Sequence, residues 1–95
     1  MPTLEEAKIY LRIDHDTEDT LILSLLNAAD GYLQGAVGKD YPKEDARAKT
    51  LALLVVSDLY EQRSLNGSTK VSANTRRLVD DLSLQLRMEL RNYAE

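Results

Sequence analysis

Ninety-five residues, 43% of them hydrophobic, with 12 Lys and Arg against 16 Asp and Glu, describe one small domain of acidic balance. With no cysteine and a single histidine, the chain holds no disulfide framework, thiolate nucleophile, cysteine zinc site or iron-sulfur cluster, and cannot build a multi-histidine metal site alone. No apolar run approaches the roughly 18 residues of a membrane span, and Met1-Pro2-Thr3-Leu4-Glu5-Glu6 lacks the basic-then-apolar layout of a signal peptide. The cytoplasm is therefore the expected compartment. A chain this short buries only about 60–65% of its unfolded surface, so self-association is a natural source of further stability.

Proline occurs only at Pro2 and Pro42, and glycine only at Gly31, Gly35, Gly38 and Gly67, so the breaks between helices are readable. Thr3 and Glu6 have the capping-box spacing, which predicts a first helix over 4–11 with Leu4, Ala7, Ile9 and Leu11 as its apolar set. The acid-rich segment 13–19 follows, with Asp16 as the expected N-cap of a second helix over 17–36. Leu21, Leu25 and Tyr32 form one row of that helix, and Ile22, Leu26, Ala29 and Leu33 form a second. Gly35, Gly38 and Lys39 end it, and Asp40-Tyr41-Pro42 is a turn placing proline at or near the start of the third helix, 43–64.

The third helix contains Leu51-Ala52-Leu53-Leu54-Val55-Val56, apolar nearly all round, so it is expected at the centre. Residues 64–74 read as a long polar loop, with a brief extended piece around Lys70-Val71. Asn66, Gly67 and Lys70 are its candidate mobile part. Asn74 is the expected cap of a fourth helix over 75–93, striped by Val79, Leu82, Leu86 and Leu90 and widened by Leu78, Leu84 and Met88. The expected fold is thus all-α, a single small bundle of about four helices with a long loop before the last.

Motifs for chemistry are absent. Asp14, Asp16, Glu18, Asp19 and His15 are better read as a solvated helix start than as a cation site, because an EF-hand from Asp14 would need Gly where Asp19 stands and Glu where Leu25 stands. His15 has no nucleophile motif around it, and there is no phosphate loop, dinucleotide fingerprint or nucleophile elbow. No catalytic, cofactor-binding or metal residue is assigned, and no enzyme is expected. Gly31-Tyr32-Leu33-Gln34-Gly35 has the G-x-x-x-G spacing, read here as close packing on a neighbouring helix or fraying toward the helix end.

Charge divides unevenly: residues 1–47 carry ten acids and five bases, residues 48–95 six acids and seven bases. On the last helix Arg76, Arg87 and Arg91 share a face with Asp80, and Arg77 adjoins it; they are the candidate subunit interface. A small helical DNA-binding or regulatory protein is the alternative reading, and the net charge of -4 argues against it.

Three segments, in order and spacing, resemble the gp6-like head-tail connector (DNA-packaging) proteins of tailed phages and prophages. They are Leu4-Glu5-Glu6-Ala7-Lys8-Ile9-Tyr10-Leu11-Arg12-Ile13-Asp14 with Asp19-Thr20-Leu21-Ile22; Ala28-Ala29-Asp30-Gly31-Tyr32-Leu33 leading to Gly38-Lys39; and the run from Ala52 to Leu59-Tyr60-Glu61-Gln62-Arg63. Gln62 stands where the family commonly has Asn, and the chain from Ser64 onward matches least, with a well-patterned helix in place of a short loop and a Pro-Tyr-Arg-like ending. The resemblance implies a homo-oligomeric ring subunit of the virion, made in the bacterial host cytoplasm and placed at the head-tail junction. It implies as partners the portal, a head-completion or tail protein and DNA passing through without sequence-specific binding, with no membrane, cofactor or catalysis. Within its motif, Leu59 and Tyr60 are expected to pack inward, and Glu61 or Arg63 to tie the helix end to helix one or two or to a neighbouring subunit.

Overall fold

The structure is a computed structural model that describes residues 2–39, 41–42, 44–67 and 70–94, the side chains of Asn66 and of 89–94 excepted. Four helices follow in order: α1 (Leu4–Leu11), α2 (Asp19–Ala36), α3 (Ala46–Asn66) and α4 (Ala73–Ala94). Among the described residues there is no strand.

Helix α1 starts as the sequence predicts. The Thr3 N–H donates to Glu6 Oε1 at 2.9 Å and the Glu6 N–H to Thr3 Oγ1 at 3.1 Å, closing the capping box. It ends with Arg12 in the left-handed region at φ 60, donating to the Ile9 carbonyl while Ile13 donates to that of Lys8. Ala7 is buried and Leu4 and Leu11 pack beside it, but Ile9, expected in the same set, is 77% exposed. At about 100° per residue Ile9 lies on the opposite side of the helix from that row.

Asp16 does not cap α2. Its carboxylate lies 2.7 Å from Lys8 Nζ, and Asp19 approaches the same ammonium at 2.8 Å. The helix begins two residues later than expected, with Glu18 at the cap position and no side-chain cap bond. From there the predicted stripe holds: Ile22, Leu26, Ala29 and Leu33 are all buried, and Leu25 and Tyr32 are half-buried.

Pro42 lies in the turn before α3, where the Asp45 N–H donates to its carbonyl. The cap is Asp45, which accepts the Arg47 N–H at 2.8 Å. Helix α3 therefore starts at Ala46 and not at 43, and it runs past 64 to Asn66. Gly67, at φ 67, closes it by donating to the Arg63 carbonyl. The connection to α4 is accordingly shorter than 64–74; among its described residues, Gly67 and 70–72, there is no extended pairing, and Val71 packs against the core. As expected of its all-round apolarity, α3 is central. Leu51, Ala52, Val55, Val56 and Leu59 are buried, Leu53 and Leu54 are partly so, and α3 touches each of the other three helices.

Helix α4 starts at Ala73. Ser72, and not Asn74, occupies the cap, its hydroxyl accepting the Thr75 N–H at 3.4 Å. Val79 and Leu86 are buried, while Leu78, Leu84 and Met88 are about half exposed; Leu90 lies outside the described side chains. Among the described residues α1 and α4 do not meet, so they flank the α2–α3 pair as two separate edges of a body 46 × 25 × 18 Å across.

Candidate functional site

The segment 58–63 is where α3 ties down its neighbours. Leu59 is buried, in the row of Leu51 and Val55. Tyr60 is half-buried and its hydroxyl donates to Glu18, just before α2; that bond, with burial, raises the phenol above its ordinary pKa. Glu61 and Arg63 are exposed, so the tie from this helix end to the second helix runs through Tyr60.

Asp58 is the residue that sequence reasoning passed over. Only 8% exposed, its carboxylate accepts the Ser72 N–H at 2.7 Å, the Ser72 hydroxyl at 2.6 Å and the Thr75 hydroxyl at 2.9 Å. A buried anion set at the first turn of α4 meets the donors and the positive end of that helix. The available signal was a carboxylate inside the apolar run 51–59, which demands donors from elsewhere in the chain.

A second buried carboxylate bond joins the end of α2 to the following turn. The Tyr41 hydroxyl donates to Asp30, which also accepts from Gln34 Nε2 at 3.0 Å. Burial first, and then the carboxylate beside it, push the Tyr41 phenol up. The acidic segment 14–19 is partly neutralised within the chain. Lys8 draws in Asp16 and Asp19, holding the Asp16 carboxyl below its usual range, while Asp14 and His15 are exposed.

The four arginines of α4 do not act as one unit. Arg76 donates to the Tyr32 hydroxyl, near Asp80, so it is engaged with α2 of its own chain. Arg77 and Arg87 are exposed, and the Arg91 side chain lies outside the described residues. Gly31 and Gly35 are exposed, and a Cβ placed on either meets nothing within 4 Å. Close packing of the G-x-x-x-G face on another helix is therefore not found among the described residues. That face instead lines an open cleft with Tyr32, Arg76 and Asp80. Of the loop residues, Asn66 ends α3, Gly67 is its cap and Lys70 is exposed.

A second cleft, of about 280 Å³, opens between the start of α3 and the later turns of α4. Leu51, Leu82 and Leu86 form its walls, with Arg47, Thr50 and Gln85 among its rim. Among the described residues no group of three or more His, Asp or Glu is placed to hold a metal ion, and no helix is long and apolar enough to cross a membrane. The polar groups that converge, at Asp58, Asp30 and Lys8, join helices and turns of the chain to one another.

Neither a search of curated proteins nor one of solved structures finds a match. The model of the phage gp6-like head-tail connector family matches residues 1–93, nearly the whole chain, including the α4 region that resembles the family least by eye. The chain belongs to the phage gp6-like head-tail connector proteins.

Proposed function

We propose that this chain is the repeating subunit of a connector ring that docks beneath the portal, lengthens the DNA channel and presents a surface to a head-completion or tail protein. The observation that carries the reading is the family match over residues 1–93. The physical chemistry of the chain agrees with it. A domain of 95 residues with an acidic total of -4 suits a conduit, because tight phosphate contacts would hold DNA back. Ring subunits make head-to-tail contacts, so one chain must carry two different complementary patches. The acidic first part of the chain and the arginines of α4, Arg77 and Arg87 foremost, with Arg76 and Arg91 beside them, are our candidates for those patches. Its place of action would be the head-tail junction of the virion, after synthesis in the bacterial host cytoplasm.

Light scattering over a concentration series, with and without purified portal, tests the reading. Self-assembly or capture by the portal is the expected result; a protein that stays monomeric and ignores the portal overturns it. Within an assembling protein, charge reversal at Arg77 and Arg87 should weaken the oligomer most at low salt, where screening is least.

A further inference from the structure

We infer that α4 is a releasable arm: its first turn is pinned to α3 and α2, and its later turns, residues 82–88, come off the α2–α3 pair as one unit. The inference concerns the isolated chain and does not rest on the ring reading.

The pins lie at one end. Asp58, on α3, holds Ser72 and Thr75 through hydrogen bonds of 2.6, 2.7 and 2.9 Å. Arg76, the next residue, donates to the Tyr32 hydroxyl of α2. Among the described residues, 77–88 make no hydrogen bond or ion pair to another helix.

Both flanks of the later turns are loosely met. At about 100° per residue, Ser83 stands two turns beyond Arg76 on the line that faces α2. It is 1% exposed, and its hydroxyl has no hydrogen-bond partner among the described residues. The closed arm therefore forgoes a bond that water supplies once the arm is lifted. Leu82 and Gln85 stand on the opposite flank, toward α3, where they border the cleft of about 280 Å³. Atoms facing that space lack partners on one side and lose the dispersion contacts of a filled interface. Among the described side chains beyond Val79, the apolar hold is Leu86, with Leu82 half-buried beside it. A helix fastened at one end and loosely packed at the other opens from the loose end. Lifting 82–88 uncovers Leu51, Leu82 and Leu86 and hydrates Ser83, so the open form displays apolar surface that the closed form keeps from water. A lifted segment of this length is marginal as a helix in water, so its opening is visible in amide exchange.

Native-state amide exchange of the wild-type chain, read residue by residue over a urea series, tests the arm. Amides 83–88 should share one opening free energy with a urea slope above zero. Relative to unstructured peptide, they should exchange at least about tenfold faster than amides 77–80 of the same helix and 55–59 of α3. Fraying from the end of α4 gives instead a graded series without a urea slope and overturns the arm. Equal protection of 77–80 and 83–88 overturns it as well. Two variants then act on the two loose flanks. Ser83→Ala removes the unpaired hydroxyl and should slow exchange at 83–88 about tenfold, leaving 77–80 as they were. Thr50→Cys with Gln85→Cys introduces two thiols into a chain that has no cysteine, one on each side of the cleft. Joined by a bis-maleimide, they should slow the same amides relative to the unlinked double variant. Unchanged exchange at 83–88 in either variant overturns the inference.

Discussion

Helices α2 and α4 carry apolar stripes of similar length and meet different fates. In α2 the residues Ile22, Leu26, Ala29 and Leu33 are all buried, because α1, α3 and α4 each pack against it. Among the described residues α4 touches α2 and α3 alone; it buries Val79 and Leu86 and leaves Leu78, Leu84 and Met88 about half in water. Sequence periodicity measures the width of an apolar arc, whereas the number of neighbours determines how much of that arc is covered. Leu84 and Met88, at about 100° per residue, lie on the far side of α4 from Leu86, so they form a separate exposed patch and not the margin of the buried stripe.

The largest expected effect separates the two helices directly. Leu33→Ala removes a wholly buried side chain and should cost about 3 kcal/mol in urea unfolding, with the slope unchanged. Leu84→Ala, at a site 49% exposed, should cost less than about 1 kcal/mol in the isolated chain. Equal losses would mean that α4 is packed on both sides in solution and would break the contrast.

Next in size is the fastening of α4 to α3. Asp58→Ala strips three donors of their acceptor and should cost about 2 kcal/mol. The loss should be local as well as global: amide exchange should speed up at Thr75 and Arg76, in the first turn of α4, more than in α2. Uniform acceleration through both helices would show that α4 does not open as a separate unit.

The stripes and the capping box of α1 were legible in the sequence because each depends on residues a few positions apart. So was the central place of α3, which is apolar on every side. What could not be read was the use of polar groups whose partners are distant in the chain. Asp16 has the composition of a cap, but Lys8, eight residues earlier, takes it. Ser72 outcompetes Asn74 as the cap of α4 because Asp58 holds it from fourteen residues away. Ser64-Leu65-Asn66 opens a largely polar stretch that looks like loop, yet it continues α3 until Gly67 supplies the left-handed residue that ends it. At the candidate contact surface, the arginines stood out by charge alone. Their division into one bonded to Tyr32 and two facing water depends on the angle at which α4 crosses α2, which sequence does not state.

A smaller effect concerns the polar fastenings near α2. The Tyr41 phenol is raised above its ordinary value of 10.0, so the folded state favours the protonated form. Its contribution is complete below pH 10 and is lost as the pH rises above 10 through the folded value. Tyr60 and Tyr32 shift in the same direction. On the acid side Glu6, Asp16 and Asp45 are lowered, so their contributions are lost as the pH falls below about 4.5; all three are solvated and contribute little. Melting temperature should therefore fall more steeply above about pH 10 in the wild type than in Tyr41→Phe. Parallel alkaline limbs would remove Tyr41 from the account.

The smallest change compares two helix ends of the same geometry. Gly67 ends α3 at φ 67, where glycine bears no steric penalty, and Arg12 ends α1 at φ 60, where an L side chain does. Arg12→Gly should relieve about 1 kcal/mol of that strain. Part is returned through the freer unfolded chain and through loss of a cation at the end of the α1 dipole, leaving a net gain of about 0.5 kcal/mol. In a domain of this size that is a rise of about 2–4 °C in melting temperature. Because Arg12 is exposed and belongs to neither stripe, the gain should add to the loss from Leu84→Ala without coupling. A non-additive pair would mean that the α1 edge and the α4 edge already communicate in the solution state, as they would if copies were joined edge to edge.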